Sequence, residues 1–263
     1  MKLHFYGADR CVTCSCHCLE INGKKILVDC GLQQGRDELD NRYLAFAPGN
    51  IDILLVTHAH IDHTGRIPLL VKNGFHGRIL TTRLTADLMK IMLLDSAHIQ
   101  ESDAEYENRK GERAGREHVD PLYTEQDALD VFKYVTTCEY KEKVDLCEGL
   151  SAVFTDAGHL LGSASITLEL EENGVHKTIV FSGDIGNVDQ PIIRDPQLLK
   201  KADYVVMEST YGDRNHTEVW SYTDELAEII DETLGKGGNV VIPSFAVGLS
   251  LIHISEPTRH LRI

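Results

Sequence analysis

The chain has 263 residues, 42% of them hydrophobic, and a net charge of −15 from 26 basic and 41 acidic side chains. That length holds one sizeable α/β domain with little left for a second, and no run of about 18 apolar residues is present to cross a membrane as a helix. The acidic surplus argues against broad, sequence-independent nucleic-acid binding, which rests on Lys and Arg at phosphates.

In chain order, residues 3–7, 17–21, 25–29 and 51–57 read as an opening series of strands, with a tight turn at Asn22-Gly23. Met1 to Gly7 lacks the longer apolar core of a signal peptide, so the cytoplasm is the expected location. Four of the seven cysteines, Cys11, Cys14, Cys16 and Cys18, crowd into eight residues. The last three alternate, so on a strand they share one face; they read as buried free thiols rather than a metal site. A helix is predicted from Thr64 to Lys72, and a long one from Thr85 to about Glu107. A charged loop follows at 108–118. Thr124 and Asp127 form a capping-box pattern that starts a helix through about Tyr134. This block, about 83–135, reads as a helical insertion. Residues 221–234 form a further helix, ended by Gly235 to Gly238 before a strand at 239–242. His76, His98, His118, His176 and His216 fall outside any motif and read as ordinary polar residues.

The chemistry concentrates in His58-Ala59-His60-Ile61-Asp62-His63, reached from the apolar run Ile51 to Thr57. Imidazole and carboxylate are the usual ligands of zinc and neighbouring divalent ions. The loop is too rich in donors for one tetrahedral ion with an open position. His58 and His60 suit one ion, and Asp62 and His63 a second close by, an arrangement suited to hydrolysis by metal-activated water. Three further strand ends deliver polar residues into glycine-containing loops. They are 25–28 into Asp29-Cys30-Gly31, 151–155 into Asp156-Ala157-Gly158-His159, and 178–182 into Gly183-Asp184. His159 completes the first ion, Asp184 can bridge both, and Asp29 suits an outer position that orients a histidine or water. The expected metal ligands are therefore His58, His60, Asp62, His63, His159 and Asp184.

Asp29, then His58/His60/Asp62/His63, then His159, then Asp184 resemble, in order, the motifs of the metallo-β-lactamase superfamily. Within it, the segment Met207-Glu208-Ser209-Thr210-Tyr211-Gly212-Asp213 resembles a β-CASP nuclease motif, with Glu208 as its acidic residue. GHLLGSAS at 158–165 and PSFAVG at 243–248 are similar to the branch of mRNA 3′-end cleavage nucleases. The resemblance covers about residues 1–248. It implies an αββα sandwich with a helical insertion over residues 1–208, and the beginning of a β-CASP domain at 209–248. It also implies two zinc ions and hydrolysis of phosphodiester bonds in RNA, or in single-stranded DNA in some branches. Catalytic roles fall to Asp62, Asp29 and Glu208. Residues 249–263 (LSLIHISEPTR and four more) resemble a translated sequencing adapter and read as foreign to the domain. Without the family's later histidines, the chain is expected to be a poor nuclease. A thioesterase or lactonase on the same sandwich is the alternative. No membrane partner is expected, and the oligomeric state is left open, a homodimer being one option.

Overall fold

The computed structural model describes residues 1–35, 40–112, 115–190, 192–199, 201–215, 222–241 and 247. His216, most of the PSFAVG text and all of 249–263 lie outside the described residues. The chain divides into two compact units, Met1–Glu208 and Ser209–Ile263.

The first unit is built on two sheets. Six strands, β1 (Lys2–Gly7), β2 (Cys16–Ile21), β3 (Lys24–Val28), β4 (Ile53–Leu55), β5 (Arg78–Thr82) and β6 (Val135–Cys138), lie side by side in chain order. The first three are antiparallel and β3 to β6 are parallel. Parallel neighbours cannot be joined by a hairpin, so longer crossovers connect them, and α-helices make those from β4 to β5 and from β5 to β6. Between β4 and β5 run α1 (Ile61–Thr64) and α2 (Ile67–Lys72). Between β5 and β6 run α3 (Arg83–Glu112) and α4 (Glu125–Asp130). The helical block at 83–135 is thus the connection between two neighbouring strands of this sheet. The second sheet comprises β7 (Lys143–Cys147), β8 (Leu150–Asp156), β9 (Ala164–Glu172), β10 (Val175–Phe181) and β11 (Tyr204–Val206). Its order is β11-β10-β9-β8-β7, antiparallel except for β10 with β11.

Strand periodicity assigns the faces. In β9, Ile166, Leu168 and Leu170 are buried, while Glu169 and Glu171 are exposed. Together with Ala152, Phe154 and Phe181 they pack against Leu19, Ile21, Ile26, Val28, Ile53, Leu55 and Leu80 of the first sheet. Each such large side chain contributes about 1.5–3 kcal/mol on burial. The other face of the first sheet carries Leu27, Leu54 and Ile79, fully buried outside that core. The helices cover it: α3 contacts β5 and β6, and α2 contacts α4. Among the described residues of the first unit, helices, first sheet and second sheet thus stack in that order.

Several elements differ from their predicted bounds. The helix expected over 64–72 starts inside the histidine loop, as α1, and breaks at Arg66. There Arg66 gives its N–H to the Cys30 carbonyl at 2.9 Å, and Pro68 opens α2 in a first-turn position that needs no N–H. Cys14 is not on the strand: it precedes β2 with φ of 70°, while Cys16 and Cys18 lie on β2. All three are buried, but Cys14 is not without a partner, because Arg66 Nη2 donates to its Sγ at 3.0 Å. The capping box at α4 forms as patterned, with Asp127 N donating to Thr124 Oγ1 at 3.2 Å and Thr124 N to Asp127 Oδ2 at 2.9 Å.

In the second unit, α5 (Tyr222–Gly235) carries Asp224 and Glu225 in its first turn, where negative charge suits the helix dipole. Beyond it, Gly237 is left-handed at φ 71°, and Gly238 N returns to Thr233 O at 2.9 Å. The strand expected at 239–242 is absent from its described part, 239–241; residue 242 lies outside the described residues.

Candidate metal centre

The candidate site sits where strands end in loops. Thr57 and His58 follow β4, Asp29 follows β3, His159 follows β8, and Asp184 follows β10. Glycine permits the close approach of these loops. A Cβ on Gly31 would stand 1.5 Å from the Asp62 carbonyl oxygen, and one on Gly186 would stand 1.6 Å from that of Gly158. The first contact locks the Asp29 turn to the histidine loop, with Ser15 N donating to Asp62 O and Cys30 N to His63 O, both at 2.8 Å. The second locks the His159 loop to the Asp184 loop, with Gly186 N donating to Ala157 O at 2.9 Å.

These constraints bring His58, His60, His159 and Asp184 together. One donor atom from each lies within 4.8 Å of the others, the one such group of metal-ligating type among the described residues. His60 Nδ1 is 3.1 Å from both His58 Nε2 and His159 Nε2. Asp184 divides its oxygens: Oδ2 is 3.6 Å from His58 Nε2 and 3.5 Å from His159 Nε2, while Oδ1 is 3.2 Å from His63 Nε2. Asp62 Oδ2 stands 3.9 Å from the same His63 nitrogen. Asp29, 1% exposed, sits outside the donor group and holds His63 Nδ1 at 2.7 Å. Glu208 is also outside it. Its Oε1 accepts from Ile185 N at 2.7 Å and so fixes the loop that carries Asp184.

The protonation pattern follows from this crowding. Burial, then the neighbouring His63, His60 and His159, keep His58 well below the usual imidazole range. Burial and His159 lower His60 to about 4, against the pull of Asp184. Burial also lowers His159, opposed by Asp184 and Glu208. These three rings are therefore neutral at pH 7, with lone pairs free for a cation. At His63 burial is outweighed by Asp29 and Asp184, which raise it well above the usual value. Burial raises Asp62, and His63 opposes that shift. Asp184 is lowered despite burial, through His63 first. Buried, unprotonated imidazoles beside an ionised carboxylate match the donor set of a divalent cation.

Sequence reading missed the residues that hold the donors. Thr57 bonds Asp29 and approaches two histidines. Ser163 Oγ accepts the N–H groups of both His159 and Leu160 at 3.1 Å. Thr57 ends the run before the histidine loop and Ser163 lies within GHLLGSAS, but nothing in their spacing marks a role.

Neutral imidazoles and a carboxylate, gathered at the strand ends of a two-sheet α/β sandwich, define a metal-ion site. The chain belongs to the metallo-β-lactamase superfamily: a family model for the Metallo-beta-lactamase superfamily matches residues 9–231, running past the division at Glu208. It is 37% identical over 248 residues to "Ribonuclease TTHA0252" of Thermus thermophilus, covering 94% of this chain and 52% of that protein. It is 32% identical over 244 residues to "Transcription termination factor FttA" of Methanosarcina mazei, covering 90% and 36%. It is 28% identical over 238 residues to "Endoribonuclease YSH1" of Eremothecium gossypii, covering 89% and 29%. The chain thus spans about half the length, or less, of these curated relatives.

Proposed function

We propose that this chain carries the metal-holding domain of a zinc-dependent hydrolase that cleaves phosphodiester bonds in RNA. The observation that carries the reading is the convergence of His58, His60, His159 and Asp184. Relatives named as ribonucleases supply the substrate class. In this reading His58, His60 and His159 would hold one zinc ion, Asp62 and His63 would hold a second once His63 gives up its proton, and Asp184 would be shared between them. Ser209 onward begins a β-CASP domain.

When bound, the ions supply Lewis acidity to a phosphoryl oxygen and lower the pKa of water. The chain's own residues do the rest. Asp62, beside His63, would accept the proton of the attacking water. Asp29 holds the His63 ring through Nδ1, so that Nε2 faces the centre. Glu208 keeps the Asp184 loop in place through Ile185 N, and its charge reaches His159.

The test uses the purified chain with added zinc, on a labelled single-stranded RNA and on a panel of thioesters and lactones. Metal-dependent RNA cleavage, however slow, that is lost in Asp184→Ala is the expected result. Turnover of a thioester or lactone with RNA left intact would overturn the reading.

A further inference from the structure

Thr57 connects the Asp29 carboxylate to His58. It is 1% exposed and held at every polar atom. Its N–H donates to Asp29 Oδ1 at 2.8 Å, and its carbonyl accepts from Ala164 N at 2.8 Å. On its far side lies Gly183, where a Cβ would stand 2.9 Å from the Thr57 Cβ. The hydroxyl has three neighbours: Asp29 Oδ2 at 2.8 Å, His58 Nδ1 at 3.1 Å and His63 Nδ1 at 3.4 Å.

A hydroxyl carries one hydrogen, and an ionised carboxylate only accepts. The Thr57 hydrogen therefore goes to Asp29 Oδ2, and the hydroxyl oxygen is left as an acceptor. It then bonds His58 Nδ1 only if that nitrogen carries the ring hydrogen. This leaves the His58 lone pair on Nε2, the atom that faces His60 and Asp184. Asp29 also holds the His63 ring, by direct contact with Nδ1 at 2.7 Å.

The geometry points to Thr57 as a positioning residue: through its hydroxyl the Asp29 carboxylate sets the tautomer of His58, while the same carboxylate orients the His63 ring by direct contact. This rests on the reading of His58 as a metal ligand through Nε2. Outer partners of this kind typically contribute about 10–100-fold in metal affinity. Thr57→Val keeps the shape and removes the relay, whereas Thr57→Ser keeps the hydroxyl.

Two measurements on the full chain test it. In the metal-free protein, ¹⁵N NMR of the imidazole nitrogens at neutral pH should show His58 as the Nδ1–H tautomer. Thr57→Ser should keep that signature and Thr57→Val should lose it. Zinc affinity by chelator competition should then fall about 10–100-fold in Thr57→Val and stay near the original in Thr57→Ser. A His58 signature unchanged by Thr57→Val overturns the relay, as does equal loss of zinc in both variants. Failure of the original chain to bind zinc would instead overturn the metal reading. The ring-nitrogen measurement decides the role of Thr57 in either case.

Discussion

Gly31→Ala tests whether backbone contact, rather than the donors themselves, assembles the centre. The added Cβ would lie 1.5 Å from Asp62 O and 2.2 Å from Asp62 C. A carbon and a carbonyl oxygen settle near about 3.3 Å, so the Asp29 turn and the histidine loop must part by nearly 2 Å. Four backbone hydrogen bonds cross or flank this contact: Gly31 N to Ser15 O, Ser15 N to Asp62 O, Cys30 N to His63 O and Leu32 N to Ile61 O, at 2.8–2.9 Å. Losing most of them, at about 1 kcal/mol net each, costs about 3–4 kcal/mol. That is a large fraction of the roughly 5–15 kcal/mol that holds a domain folded. Urea unfolding of the metal-free chain reads the loss, and chelator competition for zinc reads the spread of the donors. Gly111→Ala in α3 is the control, since its Cβ meets only Arg116 Cβ at 3.4 Å and alanine favours the helix. A Gly31→Ala chain that unfolds at the original urea concentration and keeps its zinc affinity would refute the reasoning.

Three further outcomes are expected. Asp184→Asn should lower zinc stoichiometry, measured by elemental analysis, because its two oxygens face different histidines; unchanged zinc content would refute its shared role. The metal-free chain should lose stability as pH falls from about 6.5, the value in an unfolded chain, towards 4. His58, His60 and His159 stay neutral in the fold while the unfolded chain takes up protons. His63, raised in the fold, contributes in full below its unfolded pKa, and its share is lost only as pH rises through its folded value. Thermal unfolding with chelator present at stepped pH checks this, and a flat profile between pH 6.5 and 4 would contradict it. Thr124→Ala should cost about 1 kcal/mol by removing the cap of α4, read by urea unfolding, with zinc binding unchanged.

The sequence by itself exposed the donors, because ligand chemistry is local in type: His58, His60, Asp62 and His63 share six residues, and a strand precedes each of Asp29, His159 and Asp184. It also exposed the α4 cap, since Thr124 and Asp127 satisfy each other within one turn. The elements left unassigned were β5, β6, β7 and β9. Short strands such as Val135–Cys138 carry too few alternations to show a period, and their identity as strands comes from neighbours far along the chain. Tertiary structure alone decided which donors meet. Asp184 lies 121 residues beyond His63, and only the pairing of β10 with β9, and the clasp of Gly186 on Gly158, set its oxygens among the imidazoles. Tertiary structure also turned Thr57 from a strand residue into a link between Asp29 and His58, because a hydroxyl acquires a role only from the groups that packing places around it.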